Sequence, residues 1–318
     1  MGFKCGIVGL PNVGKSTIFN ALTRGSAMAA NYPFCTIDPN VGVVAVPDER
    51  LRALTEIVPT QKVVPTVIEI VDIAGIVKGA SQGEGLGNQF LSHIAEVDAI
   101  IEVVRCFESK DIVHVSGSVD PLRDMEVIQT ELILKDLEIL SKVKTRFEKN
   151  VKTGDKKAAQ IVLLLERYEK IFNEGRPARS VYLTEDEKQL LKESQFLTDK
   201  PILYAANVAE EELGQPDSSS TAVVRQHAEK EDSRMIKISG KVEEDISRLE
   251  AGEREEFLKA MNLKESGLDQ LAREGHKLLS LITFFTVGET ENRAWTVERD
   301  ATAPRAAGKI HSDRKSVV

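Results

Sequence analysis

Cysteine is scarce in this sequence, and so is histidine. The chain of 318 residues has three cysteines, Cys5, Cys35 and Cys106, and none forms a CxxC with another. Three thiols cannot all pair, so a disulfide scaffold is disfavoured, and so is a cysteine-rich zinc site. Five histidines, His93, His114, His227, His276 and His311, leave few candidates for acid–base work. No apolar run approaches the ~18 residues that a membrane-spanning helix needs. The first residues, Met-Gly-Phe-Lys-Cys, lack a signal-peptide apolar region. Gly6 stands where a myristoylation motif wants Ser or Thr. An excess of basic charge is missing as well: 42 Lys and Arg against 50 Asp and Glu give a net charge of −8, which argues against a general nucleic-acid coat. The expectation is a soluble, reduced, cytoplasmic protein with no membrane partner. The apolar share is 42%, enough for a sizeable core, and the length suggests about two domains.

Apolar runs at residues 3–8, 63–71, 99–104 and 201–206 read as strands, with a further one at 235–238. Helical patterns lie between them, so the fold class is α/β with a mostly parallel sheet and flanking helices. Loops that carry function in such sheets lie at the carboxyl ends of the strands. Between the third and fourth strands, residues 130–200 are too long for one crossover helix. Leu132, Leu137 and Leu140, then Ile161, Leu165 and Tyr168, have the spacing of two helices packed as an antiparallel hairpin. The turn is expected at residues 152–155. This inserted arm has a basic tip: residues 142–157 hold seven Lys and Arg against two acids. Helices follow to about Leu281. From Arg293 the tail is again basic, with six Lys and Arg against three acids.

The strongest motif is Gly9-Leu10-Pro11-Asn12-Val13-Gly14-Lys15-Ser16, which fits GxxxxGK[ST] between a strand and a helix. Its amides, from Asn12 through Thr17, can curl around phosphate oxygens, and the helix N-terminus adds partial positive charge. Lys15 would neutralise the β- and γ-phosphates, and the Ser16 hydroxyl would bind Mg²⁺. Asp72-Ile73-Ala74-Gly75 places a carboxylate at a strand end, where it would hold a water of the Mg²⁺ shell, and a Gly75 N–H for the γ-phosphate. The glycine-rich residues 79–87 then suit a phosphate-sensing switch, and Thr36 is the candidate switch threonine completing the Mg²⁺ shell.

GLPNVGKST, NYPFCTI, DIAGIVKGAS and GEGLGN, in this order, resemble the Obg family of P-loop NTPases, and more narrowly its YchF subfamily. The likeness runs over residues 1–310. It implies an Obg-type P-loop G domain, expected at residues 1–282, carrying an antiparallel coiled-coil arm. It also implies a TGS domain of α+β, β-grasp-like type, of which residues 283–318 would be the first part. The family pattern continues past Asp313, where this sequence reads Arg-Lys-Ser-Val-Val. Uncovered apolar surface is therefore expected around Trp295. The resemblance further implies ribosome association and a preference for ATP over GTP. The large ribosomal subunit and its rRNA become the expected partner of the basic arm tip, which otherwise reads as a solvated helical face.

The base-reading loop supports that preference chemically. A guanine site uses NKxD, whose Asp accepts from guanine N1–H and N2–H₂. Asn207-Val208-Ala209-Glu210 is NxxE. The longer Glu210 displaces the carboxylate, and Val208 replaces the Lys that lies along the base. A site that cannot satisfy guanine's donors loses guanine selectivity. Adenine would be read by Asn207 and main chain near Val208, with Ser239-Gly240-Lys241 as the last base-contacting loop. Ile76 stands where many GTPases carry a water-orienting Gln, so intrinsic turnover should be slow. His114, in the loop after the third strand, is the candidate for that task. Asn12 sits where related G domains bind K⁺, a second candidate cofactor. The expectation is an Mg²⁺-dependent ATPase switch with weak GTPase activity. Two alternatives stay open: a ribosome or RNA adaptor whose nucleotide is structural, and an ordinary GTPase. A small-molecule kinase fits DIAG and NxxE poorly.

Overall fold

The computed structural model describes residues 3–27, 40–73, 86–191 and 194–311. Along it run β1 (Lys4–Val8), α1 (Lys15–Ala27), β2 (Val41–Ala45), α2 (Glu49–Ile57), β3 (Val63–Val64), β4 (Val67–Asp72), α3 (Leu86–Ala95) and β5 (Ala99–Arg105). Then come α4 (Pro121–Val151), α5 (Lys156–Asn173), α6 (Glu185–Leu190), β6 (Ile202–Asn207), α7 (Ser219–Lys230), β7 (Arg234–Ile238), α8 (Gly240–Ile246), α9 (Ala251–Ala260) and α10 (Gly267–Leu278). The tail adds β8 (Leu281–Thr286), β9 (Asn292–Glu298) and α11 (Ala303–Ile310).

Six strands form the main sheet in the order β2-β4-β1-β5-β6-β7. Its pairs are parallel except β2 with β4. Strands β5 and β6 are buried at every position. Helices cover both faces, which is why these strands read as continuous apolar runs rather than alternating ones. Strand order reverses at β1, which pairs β4 on one side and β5 on the other. The crevice outside the carboxyl ends of β1 and β5 is the switch point where such sheets bind ligands. The phosphate motif follows β1 directly into it.

The run at residues 63–71 is not one strand, as its composition suggests. Pro65 offers no N–H to a ladder and restricts the residue before it, so the run breaks. β4 joins the main sheet, and β3 pairs β9 instead. Strand β2, short and with a glycine at its second position, carries too little pattern to be legible in the sequence. The arm also begins earlier than residue 130. α4 starts at Pro121, capped by the Asp120 side chain, and its 31 residues serve as both crossover helix and first arm strut. At ~1.5 Å per residue it is roughly 46 Å long.

The arm turn falls at residues 152–155 as the charge and glycine pattern predicts. Gly154 adopts φ +88, a left-handed conformation that favours glycine. Asp155 caps α5 by accepting from Lys157 and Ala158 amides. The arm has its own core of Ile133 and Leu140 from α4 with Ile161, Leu165, Tyr168 and Phe172 from α5. Phe196 closes it, its ring 4.9 Å from that of Tyr168. Asp136, on α4, accepts from the amides of Leu197 (2.6 Å) and Thr198 (2.9 Å) and from the Thr198 hydroxyl (2.6 Å), which pins the returning chain.

The tail sheet is β3-β9-β8. The surface expected to lie uncovered around Trp295 is partly covered. Trp295 stacks on Phe284 with ring centres 6.4 Å apart, and its indole N–H donates to the Thr286 hydroxyl at 2.9 Å. The Arg293 guanidinium lies over the ring. No helix among the described residues is long and apolar enough to cross a membrane.

Candidate functional site

A cavity of about 800 Å³ opens at the switch point. Asn12, Gly14, Lys15, Ser16 and Thr17 line one side of it. Asn207, Val208, Glu210, Ser239 and Gly240 line the other. Val13 is buried behind the loop and contributes its carbonyl rather than a wall. Ser16 and Thr17 fall in the first turn of α1, where free amides and the helix dipole favour an anion. Gly14 has φ +92, and a Cβ there would stand 2.2 Å from the Asn207 amide nitrogen, so only glycine fits. Asn12 is also left-handed, at φ 63, a conformation uncommon outside glycine.

Lys15 is buried, and its ammonium pairs with the Asp72 carboxylate. One strand end and one helix start thus bring together the cation suited to the phosphates and the carboxylate suited to a metal-bound water. Among the described residues no cluster of three His, Cys, Asp or Glu could cage a metal. The donor set is a hydroxyl at Ser16 and a nearby carboxylate at Asp72, which fits Mg²⁺: that ion is usually bound through one or two protein oxygens plus substrate phosphates and waters. Thr36, Gly75 and Ile76 lie outside the described residues.

Asn207 lines the cavity and also braces its walls. It is buried, its amide donates to the Val13 carbonyl at 2.8 Å, and its oxygen accepts from the Gly240 amide at 3.0 Å. One bond from each end of the side chain ties the phosphate loop to the Ser239-Gly240 loop. The structure thus gives Asn207 a structural role beside the base-reading role expected of it. Those two bonds use one amide hydrogen and one lone pair, so the side chain keeps a second donor and a second acceptor site at the cavity wall. Glu210 instead stands at the rim, where its carboxylate accepts from Lys241 Nζ at 3.2 Å. That contact raises the Lys241 pKa above the ordinary lysine value.

His114 lies in the loop after β5 as expected, but it is neither solvent-exposed nor part of the cavity lining. Its ring is buried against α4, with Nε2 2.7 Å from Asp124 Oδ2. Nδ1 accepts from the Ser116 amide at 3.1 Å. The loop itself does reach the phosphate motif. Asn12 Nδ2 donates to the Val113 carbonyl at 3.1 Å.

Arg105 was not anticipated. It ends the apolar run of β5 and is 1% exposed. Its guanidinium donates to the carbonyls of Phe107 (3.1 Å) and Ile112 (2.9 Å) and approaches that of Asn12 (3.4 Å). It also lies over the Phe107 ring. A charged residue closing a strand that is apolar apart from Glu102 was the available signal. Cys5 and Cys106 are free and buried, and burial pushes both thiols up to about 12, so neither is a nucleophile at neutral pH.

Comparison with known proteins bears on the same residues. A family model described as a 50S ribosome-binding GTPase matches residues 4–139. A second, YchF-GTPase_C, described as a protein of unknown function, matches residues 281–317. The chain is 52% identical over 314 residues to the ribosome-binding ATPase YchF of Bacillus subtilis, covering 98% of this chain and 86% of that protein. The protein of the same name from Escherichia coli O157:H7 is 52% identical over 313 residues, with the same coverage. Among solved structures, the Schizosaccharomyces pombe YchF GTPase superposes with a TM-score of 0.88 at 36% identity, over 100% of this chain and 86% of that one.

Proposed function

The chain belongs to the YchF family, and from that premise we propose that it is a slow, Mg²⁺-dependent ATPase that binds the ribosome and acts as a switch in translation. The observation that carries the hydrolytic part is the Lys15–Asp72 pair at the mouth of a strand–loop–helix phosphate motif. Lys15 would hold the β- and γ-phosphate oxygens, and the amides of residues 12–17 would surround them. Mg²⁺, when bound through Ser16 and through water at Asp72, with Thr36 as the further ligand, supplies charge neutralisation between the phosphates. Asn12 spends its amide nitrogen on the Val113 carbonyl, which leaves its oxygen for a K⁺ ion. His114 is the candidate to orient the attacking water.

One observation supports ATP over GTP. Glu210 is one methylene longer than the Asp of a guanine site, and its carboxylate stands at the rim beside the Lys241 ammonium rather than where an Asp would meet two guanine donors. Asn207 keeps one amide hydrogen and one lone pair beyond its two loop contacts, so it and main-chain groups near Val208 are the groups to read adenine. The relatives' names point both ways, ATPase in the bacteria and GTPase in the yeast structure, which makes nucleotide choice worth measuring. The ribosomal partner rests on the bacterial relatives' names and on the basic arm tip. The large subunit and its rRNA are the favoured target, since phosphate backbones attract such charge.

Hydrolysis that depends on the phosphate loop tests this reading. Lys15→Ala should lose at least about a hundredfold in ATP turnover, on the scale of removing one transition-state charge partner. A purified Lys15→Ala protein with full turnover would contradict it. The adaptor reading would instead show nucleotide binding with no turnover in the unaltered protein.

A further inference from the structure

The imidazole of His114 has no free nitrogen in this structure. The Ser116 amide donates to Nδ1, so the ring proton resides on Nε2 and is donated to Asp124 Oδ2. Both side chains are almost fully buried, at 2% and 4% exposure. A ring in this state can neither accept a proton from water nor position one.

The loop that carries it is held by a separate set of contacts. Asn12 grips the Val113 carbonyl and Arg105 grips the Ile112 carbonyl. The loop therefore stays on the phosphate motif whichever way the ring points, and rotation of one side chain is enough to change its partner.

Asp124 sits in the first turn of α4. The same helix carries Lys142, Lys144, Arg146 and Lys149 near its other end. A second observation marks the Asp124 carboxylate as able to change hands. The Arg123 guanidinium is already 3.4 Å from its other oxygen, and the Nε–H of that guanidinium is buried without a partner among the described residues. A spare buried donor beside a carboxylate makes release of the histidine less costly, because the charge left behind keeps a cation.

We propose that Asp124 is a positioning residue that latches the His114 imidazole away from the nucleotide, and that displacement of α4 through the arm releases it. This rests on the reading of His114 as the water-orienting group. A long rigid helix with one end in the latch and the other at the basic tip gives the partner at that tip a direct mechanical route to turnover. Basal hydrolysis is slow because the ring is held.

The test uses the full chain. Asp124→Asn replaces a charge-assisted hydrogen bond by a neutral one of roughly half the strength. Basal kcat for ATP should rise about fivefold with KM unchanged, and the factor by which purified ribosomes stimulate turnover should shrink. The double variant Asp124→Asn/His114→Ala should lose the rise. In the unaltered protein, ¹⁵N imidazole shifts should show His114 as the Nε2–H tautomer, a readout that does not depend on how the variant folds. An Asp124→Asn protein with normal melting and unchanged or lower kcat overturns the latch, and so does an Nδ1–H tautomer. The two readings fail differently. If His114→Ala alone keeps full turnover, the water-orienting role falls and the latch with it. If His114→Ala is inactive but Asp124→Asn is not faster, only the latch falls.

Discussion

Asn207 joins three loops with one amide. Removing it leaves the Val13 carbonyl and the Gly240 amide unpaired in a buried place. Asn207→Ala should cost about 2–3 kcal/mol of stability, the scale of orphaned buried backbone groups. ATP affinity should fall with it, because the phosphate loop and the last base loop lose their common strut. Denaturant midpoints with and without ATP would measure both. An alanine variant as stable as the parent would mean that water replaces the amide. The residue types of this site were legible: phosphate loop, strand-end Asp72 and the NxxE segment all line or edge one cavity. Their orientations were not. An asparagine at a strand end looks the same in sequence whether it faces a base or a backbone, and a loop histidine looks the same exposed or sealed under a helix. Those choices depend on partners such as Asp124 and Gly240, ten and thirty-three residues away.

At the scale of elements, the arm and the sheet have separate cores. Leu165 is fully buried between α4 and α5. Leu165→Ala should cost about 2–5 kcal/mol by leaving a cavity, and the loss should fall on the arm. Ribosome co-sedimentation should weaken while ATP affinity holds. Equal loss of both would mean that the arm and the nucleotide domain unfold as one unit. Two buried carboxylates brace neighbouring elements. Asp136 holds the chain returning from the arm, and Glu243 of α8 accepts from the Gly267 and Leu268 amides that open α10. Burial raises Asp136 to about 6 and Glu243 to about 7, against which the hydrogen bonds pull down. The folded state therefore keeps these protons at pH values where the unfolded chain releases them. Their contribution is largest below pH ~4 and is lost as pH rises through about 6 to 7. In Asp136→Asn/Glu243→Gln the fall in stability between about pH 4 and 7 should flatten. An unchanged slope would show that both carboxyls ionise freely in the fold. The hairpin itself was readable from its 3.6-residue periodicity and its glycine turn. Its true start at Pro121 was not, because one continuous helix hides the join between crossover and arm. The split of residues 63–71 was signalled by Pro65, but apolar composition on both sides masked it.

For the whole molecule, one charge pattern assigns roles to regions. The protein is acidic overall, yet the arm tip is basic and the cavity holds a buried lysine facing an aspartate. In the proposed function, nucleotide chemistry would sit at one end of α4 and the attraction for a polyanion near the other, so that state and partner are coupled through a single helix. Reversing three tip charges, Lys142→Glu, Lys149→Glu and Lys152→Glu, should abolish co-sedimentation with ribosomes and leave basal ATP turnover unchanged. Retained co-sedimentation would assign the contact elsewhere. The account as a whole depends on which base the cavity accepts. The most direct measurement is a competitive titration of the purified protein with fluorescent ATP and GTP, in Mg²⁺ and K⁺. The account predicts tighter binding of ATP, because the longer Glu210 carries its carboxylate to the rim beside Lys241 instead of presenting it to guanine's two donors. GTP binding about tenfold tighter than ATP, a difference of about 1.4 kcal/mol, would contradict it and return the chain to the guanine-reading NTPases.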